Sequence, residues 1–148
     1  MKYLLDTAVW LWSLQSPELI ADEGRQILER GEEEIYLSAV TSWEISIKMR
    51  VGKLNFAGPP AHDVPRFMAK QNLRPLSIAH SHAAKVYDLP AHHKDPFDRM
   101  LIAQALIEDM VILTQIALSE NTRPSWCGVG ITHLLGFPAN EKAAPKDG

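Results

Sequence analysis

Residues 2–5, Lys-Tyr-Leu-Leu, form a short apolar run that stops at Asp6-Thr7, the pattern of a buried strand ending in a polar turn. Residues 8–14 are apolar and Trp-rich and are followed by Ser16-Pro17-Glu18, a helix start with Pro at the first helical position. A helix is expected over 20–30, with Ile20, Ile27 and Leu28 toward the core and Gly31 ending it. Residues 34–40 read as a second strand. A helix over 41–51 follows, with Trp43, Ile47 and Val51 on one stripe at a spacing of four and Gly52 closing it.

Residues 55–65, with Gly58-Pro59-Pro60, read as a loop, and 66–71 as a short helix. Residues 73–78 suit a third strand, and Pro75 places it at a sheet edge because proline cannot donate to a ladder. A helix over 81–88 stops at Leu89-Pro90. The polar stretch 91–97 leads into a strong helix over 98–109, whose inner face is Leu101, Ile102, Ala105 and Leu106, and 111–114 read as a fourth strand. Strands alternating with helices imply an α/β fold with a parallel sheet covered on both faces. After Thr114 glycines and Pro138 crowd a stretch without a clear period, and 139–148 have the composition of a disordered tail.

A chain of 148 residues fits one domain, expected over 1–138. At 46% hydrophobic and 22% charged, the composition is that of a globular protein. No apolar run reaches the eighteen or so residues of a membrane-spanning helix, and Asp6 interrupts the only stretch resembling a signal peptide. A single cysteine, Cys127, cannot form an internal disulfide and supplies no zinc-ligand set, which suits a reducing cytoplasm. The formal charge of −3 argues against a general nucleic-acid binder, since such proteins exploit counterion release with net positive charge. A nucleic acid would be met here at a local site.

In an open parallel sheet, ligands bind beyond the carboxyl ends of the strands. Three carboxylates fall at such places: Asp6 after the first strand, Glu44 in the helix after the second, and Asp98 opening the helix before the fourth. Converging carboxylates repel one another, and a divalent cation resolves the conflict. Oxygen donors without imidazole or thiolate favour Mg2+ or Mn2+, which suit phosphodiester hydrolysis. Each residue also has a plainer reading: Asp6 as a turn residue, Asp98 as a helix N-cap, and Glu44 with Lys48 as an exposed pair one helical turn apart. Asp95, before Pro96, reads as a turn residue. His92-His93 has no partner at zinc-ligand spacing, and His62, His80, His82 and His133 are scattered. Trp10 and Trp43 read as core or interface residues.

The motifs themselves resemble a known family. Leu4-Leu5-Asp6-Thr7 with Trp10-Leu11-Trp12, then residues 37–48 (Leu-Ser-Ala-Val-Thr-Ser-Trp-Glu-Ile-Ser-Ile-Lys), then Gly52-Lys53-Leu54, are similar to successive signatures of VapC-type PIN domains. The most specific stretch is 89–105, Leu-Pro-Ala-His-His-Lys-Asp-Pro-Phe-Asp-Arg-Met-Leu-Ile-Ala-Gln-Ala. The resemblance covers 1–114 in order. It implies an α/β/α sandwich with a mainly parallel sheet and a Mg2+-dependent endoribonuclease toxin. It also implies a cognate VapB-like antitoxin and a homodimer. By residue, Asp6, Glu44 and Asp98 match the family's first three acids, and Thr7, Asp95 and Thr114 stand as supports behind them.

The resemblance departs after Thr114. The family carries a fourth acid two residues on, where Ile116 stands after Gln115, and the nearest later carboxylate is Glu120. A second reading follows, of a catalytically weakened PIN domain that keeps only antitoxin or RNA binding. A phosphatase of the haloacid-dehalogenase type also begins with a strand and an Asp, but it needs a second Asp where this chain has Ala8.

Overall fold

A computed structural model of the chain describes residues 1–89 and 95–114. Among the described residues, four parallel strands, β1 (Lys2–Leu5), β2 (Glu34–Ser38), β3 (Arg74–Leu76) and β4 (Val111–Leu113), form one sheet in the order β3-β2-β1-β4. The helices are α1 (Thr7–Gln15), α2 (Asp22–Arg30), α3 (Ala39–Arg50), α4 (Pro60–Lys70), α5 (His80–Lys85) and α6 (Pro96–Glu108). Among the described residues, no helix is long and apolar enough to cross a membrane.

Strand pleating sorts the apolar residues into two cores, since successive side chains leave opposite faces. Tyr3, Leu5, Ile35, Leu37, Val111 and Leu113 pack on one face beneath α1, α2, α4 and the far part of α3. Leu4, Tyr36 and Ile112 pack on the other beneath α6, with Leu101, Ile102, Ala103 and Ala105 buried against them. The result is the expected three-layer α/β/α sandwich. The polar edge strand is β3, where Pro75 costs no ladder bond on the open side.

Several local readings gain or change detail. The apolar segment after Asp6, to which the sequence pattern assigns no element, is a helix, α1, which lacks a legible amphipathic period because Val9 and Trp10 are buried while Leu11, Trp12 and Leu14 also pack on the core. The helix expected over 20–30 starts two residues late: Ile20 is extended after a 3-10 turn over Pro17–Leu19, and α2 runs from Asp22 to Arg30. Gly31 closes it at φ 65, the left-handed conformation in which glycine avoids the Cβ penalty. Strand β2 ends at Ser38 because the Ser38 hydroxyl caps α3, accepting the Val40 N–H at 3.0 Å.

Helix α4 begins at Pro60, inside the segment read as a loop. Pro60 is pre-set for a first helical position, and Pro65 is tolerated within the helix at the loss of one backbone bond. The expected stripe on α3 faces outward: Trp43, Ile47 and Val51 are 49%, 39% and 60% exposed. The buried side is Val40, Thr41, Glu44 and Ile45.

Trp10 is fully buried at the centre of the first core, and its indole N–H donates to Gln71 Oε1 at 2.8 Å. Gln71 in turn donates to Ser13 Oγ at 2.9 Å, tying the end of α4 to α1. Trp10→Phe should therefore lower unfolding stability by roughly 1–3 kcal/mol through a void and a lost hydrogen bond. Chemical denaturation checks this, and an unchanged midpoint and slope would contradict it.

Candidate active site

The carboxyl end of β1 lies between β2 and β4. From β1 the chain moves to one side through β2 and β3, then returns to the other side as β4, so the gap between β1 and β4 is a topological switch point. Leu5 pairs with Leu113, and the Asp6 N–H donates to Leu113 O at 3.0 Å. This register puts Thr114 beside Asp6, and the Thr114 hydroxyl donates to Asp6 Oδ2 at 3.0 Å. Asp6 also caps α1, accepting the Ala8 N–H on Oδ1 at 3.4 Å.

The other acids approach on two helices. Glu44 is buried on α3 and pairs with Lys48, one turn on. The pair forms as its spacing suggests, but its carboxylate faces inward. Asp98 lies in the first turn of α6. It does not cap that helix, because Asp95 does, accepting the N–H groups of Phe97 at 2.9 Å and Asp98 at 3.2 Å. With Pro96 at the first helical position, the cap sets where α6 begins and so where Asp98 sits.

The Asp6 carboxyl is pushed up to about 6 by burial first and then by the negative charge of Asp98. Its hydrogen bonds from Thr114 and Ala8 pull the other way, and Glu44 adds a smaller push upward. Lys48 is raised by its bond to Glu44, and the charges of Asp95 and Asp98 add to the effect. Asp6, Glu44 and Asp98 thus share one electrostatic neighbourhood. They do not form a closed ligand cage: among the described residues, no three acidic, imidazole or thiol side chains are drawn together tightly enough to hold an ion. The donor set still fits Mg2+ or Mn2+ by its chemistry, since a buried carboxylate beside other negative charges gains from a hard cation.

Polar ties support this arrangement from behind. Thr7 and Thr41, both buried, share a hydrogen bond at 3.0 Å that joins the residue after Asp6 to the first turn of α3. The Ser38 hydroxyl bonds Gln104 Oε1 at 2.5 Å, joining the end of β2 to α6. Sequence reasoning passed over Thr41, Ser38 and Gln104. The available signal was Gln104 itself, a lone polar residue in the run Leu101-Ile102-Ala103-Gln104-Ala105-Leu106. His82 is buried and hydrogen-bonded within the fold, and His62 stands at the surface beside Asp63. Gln115, Ile116, Glu120, Cys127, His92, His93, His133 and the tail expected over 139–148 lie outside the described residues.

A carboxyl whose pKa is higher in the folded than in the unfolded state favours folding at low pH, and that contribution is lost as pH rises through the folded value. For Asp6 the window runs from about 4 to about 6. Ionised Asp6 then costs about 3 kcal/mol in the metal-free protein, and Asn at this position escapes the cost but weakens the cap on Ala8. Asp6→Asn should raise metal-free stability at pH 7.5 by roughly 1–3 kcal/mol, with the advantage gone near pH 3.5. Thermal unfolding at the two pH values in chelator measures this, and a variant less stable than the native protein at pH 7.5 would contradict it.

The chain is 42% identical over 71 residues to Ribonuclease VapC16 of Mycobacterium tuberculosis (strain ATCC 25618 / H37Rv), an alignment covering 46% of this chain and 50% of that protein. The matched region thus spans half the length of that relative. The fold is similar to the crystal structure of VapBC2 from Rickettsia felis bound to a promoter DNA fragment, at TM-score 0.60 and 16% identity, covering 83% of this chain and 92% of that one. It is also similar to DNA-bound VapBC from Salmonella typhimurium, at TM-score 0.53 and 18% identity over 77% of this chain and 86% of the other. The family model of the PIN domain matches residues 3–115, and the chain belongs to that family.

Proposed function

We propose that the chain is a Mg2+-dependent endoribonuclease of the VapC type, the toxin of a toxin–antitoxin pair. The observation that carries the reading is Asp6: a carboxylate at the switch point, pushed up to about 6 by burial and by Asp98 and Glu44. Its likeness to a protein named a ribonuclease supports RNA as the substrate.

Asp6 and Asp98 would hold the ion, with Glu44 contributing from α3 and Mn2+ able to replace Mg2+. A divalent ion held there would supply Lewis acidity for activating the attacking water and positive charge to offset the charge that develops on the phosphate oxygens. The chain's own groups prepare that site. Thr114 donates to Asp6 Oδ2 and orients the carboxylate, Asp95 fixes the start of α6, and Thr7 holds α3 through Thr41. Lys48 neutralises Glu44 when no cation is present and limits the repulsion on Asp6.

The fold likeness to VapBC structures supports a VapB-like antitoxin as partner, and a homodimer is what the resemblance of the motifs to VapC-type PIN domains implies. The outward apolar strip Trp43, Ile47 and Val51 supports a protein contact on α3. Ile116, where the family resemblance calls for a fourth acid, favours a weakened active site that needs more metal than its relatives, since fewer charged ligands mean lower affinity.

Purified protein should cleave single-stranded RNA with Mg2+ or Mn2+ and not with chelator. Asp6→Asn and Asp98→Asn should each lower the rate by at least about a hundredfold while keeping the fold, because each removes a charge that only the metal-bound state uses. Activity at limiting metal should rise with pH through about 6 as Asp6 ionises. Metal-independent cleavage, or a wild-type rate in either variant, would refute the assignment. An Ile116→Asp protein that lowers the Mg2+ requirement would support the weakened-site reading, and one that is folded but unchanged would count against it.

A further inference from the structure

Behind the acidic site runs a buried polar chain that the proposed chemistry does not use. Gln104 is fully buried on α6 and contacts three other segments. Its Oε1 pairs with the Ser38 hydroxyl at the end of β2, and its Nε2 donates to Ser77 O at 3.2 Å, just after β3. The same Nε2 lies 3.4 Å from His82 Nδ1 on α5.

The direction of each bond follows from the donor inventory. The Ser38 hydroxyl already accepts the Val40 N–H, so its proton goes to Gln104 Oε1. His82 Nδ1 accepts the Ala79 N–H at 3.0 Å, which leaves Nε2 to carry the proton toward Glu108 Oε1 at 2.8 Å. Only one orientation of the Gln104 amide satisfies all of these neighbours.

We propose that Gln104 is a positioning residue for the acidic site, holding α6 and α3 in the one register that places Asp98 and Glu44 around Asp6. Ser38 caps α3, which carries Glu44. Gln104 sits on the helix whose first turn carries Asp98, and Asp6 feels both charges. The apolar contacts of α6, Leu101, Ile102 and Ala105, are non-directional and tolerate small slips along the sheet. A slip of one helical residue is about 1.5 Å, which would move Asp98 relative to Asp6 by a comparable distance. The hydrogen bonds of Gln104 are directional and remove that freedom.

The inference rests on the metal-site reading above, and calorimetric binding of Mn2+ alone to the whole protein tests both. Gln104→Met keeps much of the volume and removes the polar ends. Ser38→Ala removes the hydroxyl that meets Gln104, and serves if the first variant does not fold. Val64→Ala, in the other core, provides a loss of thermal stability away from the site. The expected result is Mn2+ binding by the native protein, at least about tenfold weaker binding by Gln104→Met or Ser38→Ala at temperatures where each is folded, and near-native binding by Val64→Ala. Native affinity in folded Gln104→Met would overturn the positioning role. So would an equal loss in Val64→Ala, which would make the effect one of general stability. A native protein that binds no Mn2+ removes the metal site itself and the role with it, a failure read before any variant is made.

Discussion

Placing a carboxylate at the buried end of the central strand is the constraint on which the rest of this site depends. Strand β1 has neighbours on both edges and helices on both faces, so Asp6 enters a region where ionisation is costly. Thr114 and Ala8 each donate to it, and these two bonds lower its pKa while Asp98 and Glu44 raise it. The balance leaves Asp6 near 6, so near neutral pH it is mainly charged and carries the cost of that charge. A group in that state responds strongly to a cation, because charge brought nearby repays both desolvation and repulsion.

The negative net charge fits the same picture. A protein that gripped nucleic acid along its whole surface would gain from excess lysine and arginine. This chain carries more acid than base, and some of the acid is concentrated where the sheet opens. An anionic substrate would be repelled from Asp6, Asp95 and Asp98 unless a cation stood between them. The proposed substrate class and the proposed metal are therefore one electrostatic argument.

Much of the fold was legible because the relevant signals are local. The apolar run before Asp6, the left-handed turn at Gly31, the proline in β3 and the apolar face of α6 each report a short-range rule. The three acids were legible as strand-end and helix-start residues, and the resemblance of 89–105 to VapC-type PIN domains strengthened that reading. What failed to show was tertiary. Trp43, Ile47 and Val51 have helical spacing, but spacing alone does not say which side of α3 meets the sheet. Thr41 and Glu44, polar by composition, took the buried side because each has a partner there, Thr7 and Lys48. The helix α4 was hidden by prolines that the first turns of a helix accommodate.

The residues that sequence reading passed over are polar groups whose partners lie far away in the chain: Ser38 with Gln104, Thr7 with Thr41. Such pairs add little net stability, about 1 kcal/mol each, yet leaving one member unpaired in the core costs more than the pair contributes. Their effect is therefore to penalise alternatives more than to deepen the native minimum. Apolar faces alone would let α3 and α6 settle in several nearby registers of similar energy, each with its own spacing of Glu44 and Asp98. Three buried hydroxyls and one amide make all but one of those registers expensive, so the approach of α3 and α6 to Asp6 is set by hydrogen bonds made away from the acids themselves.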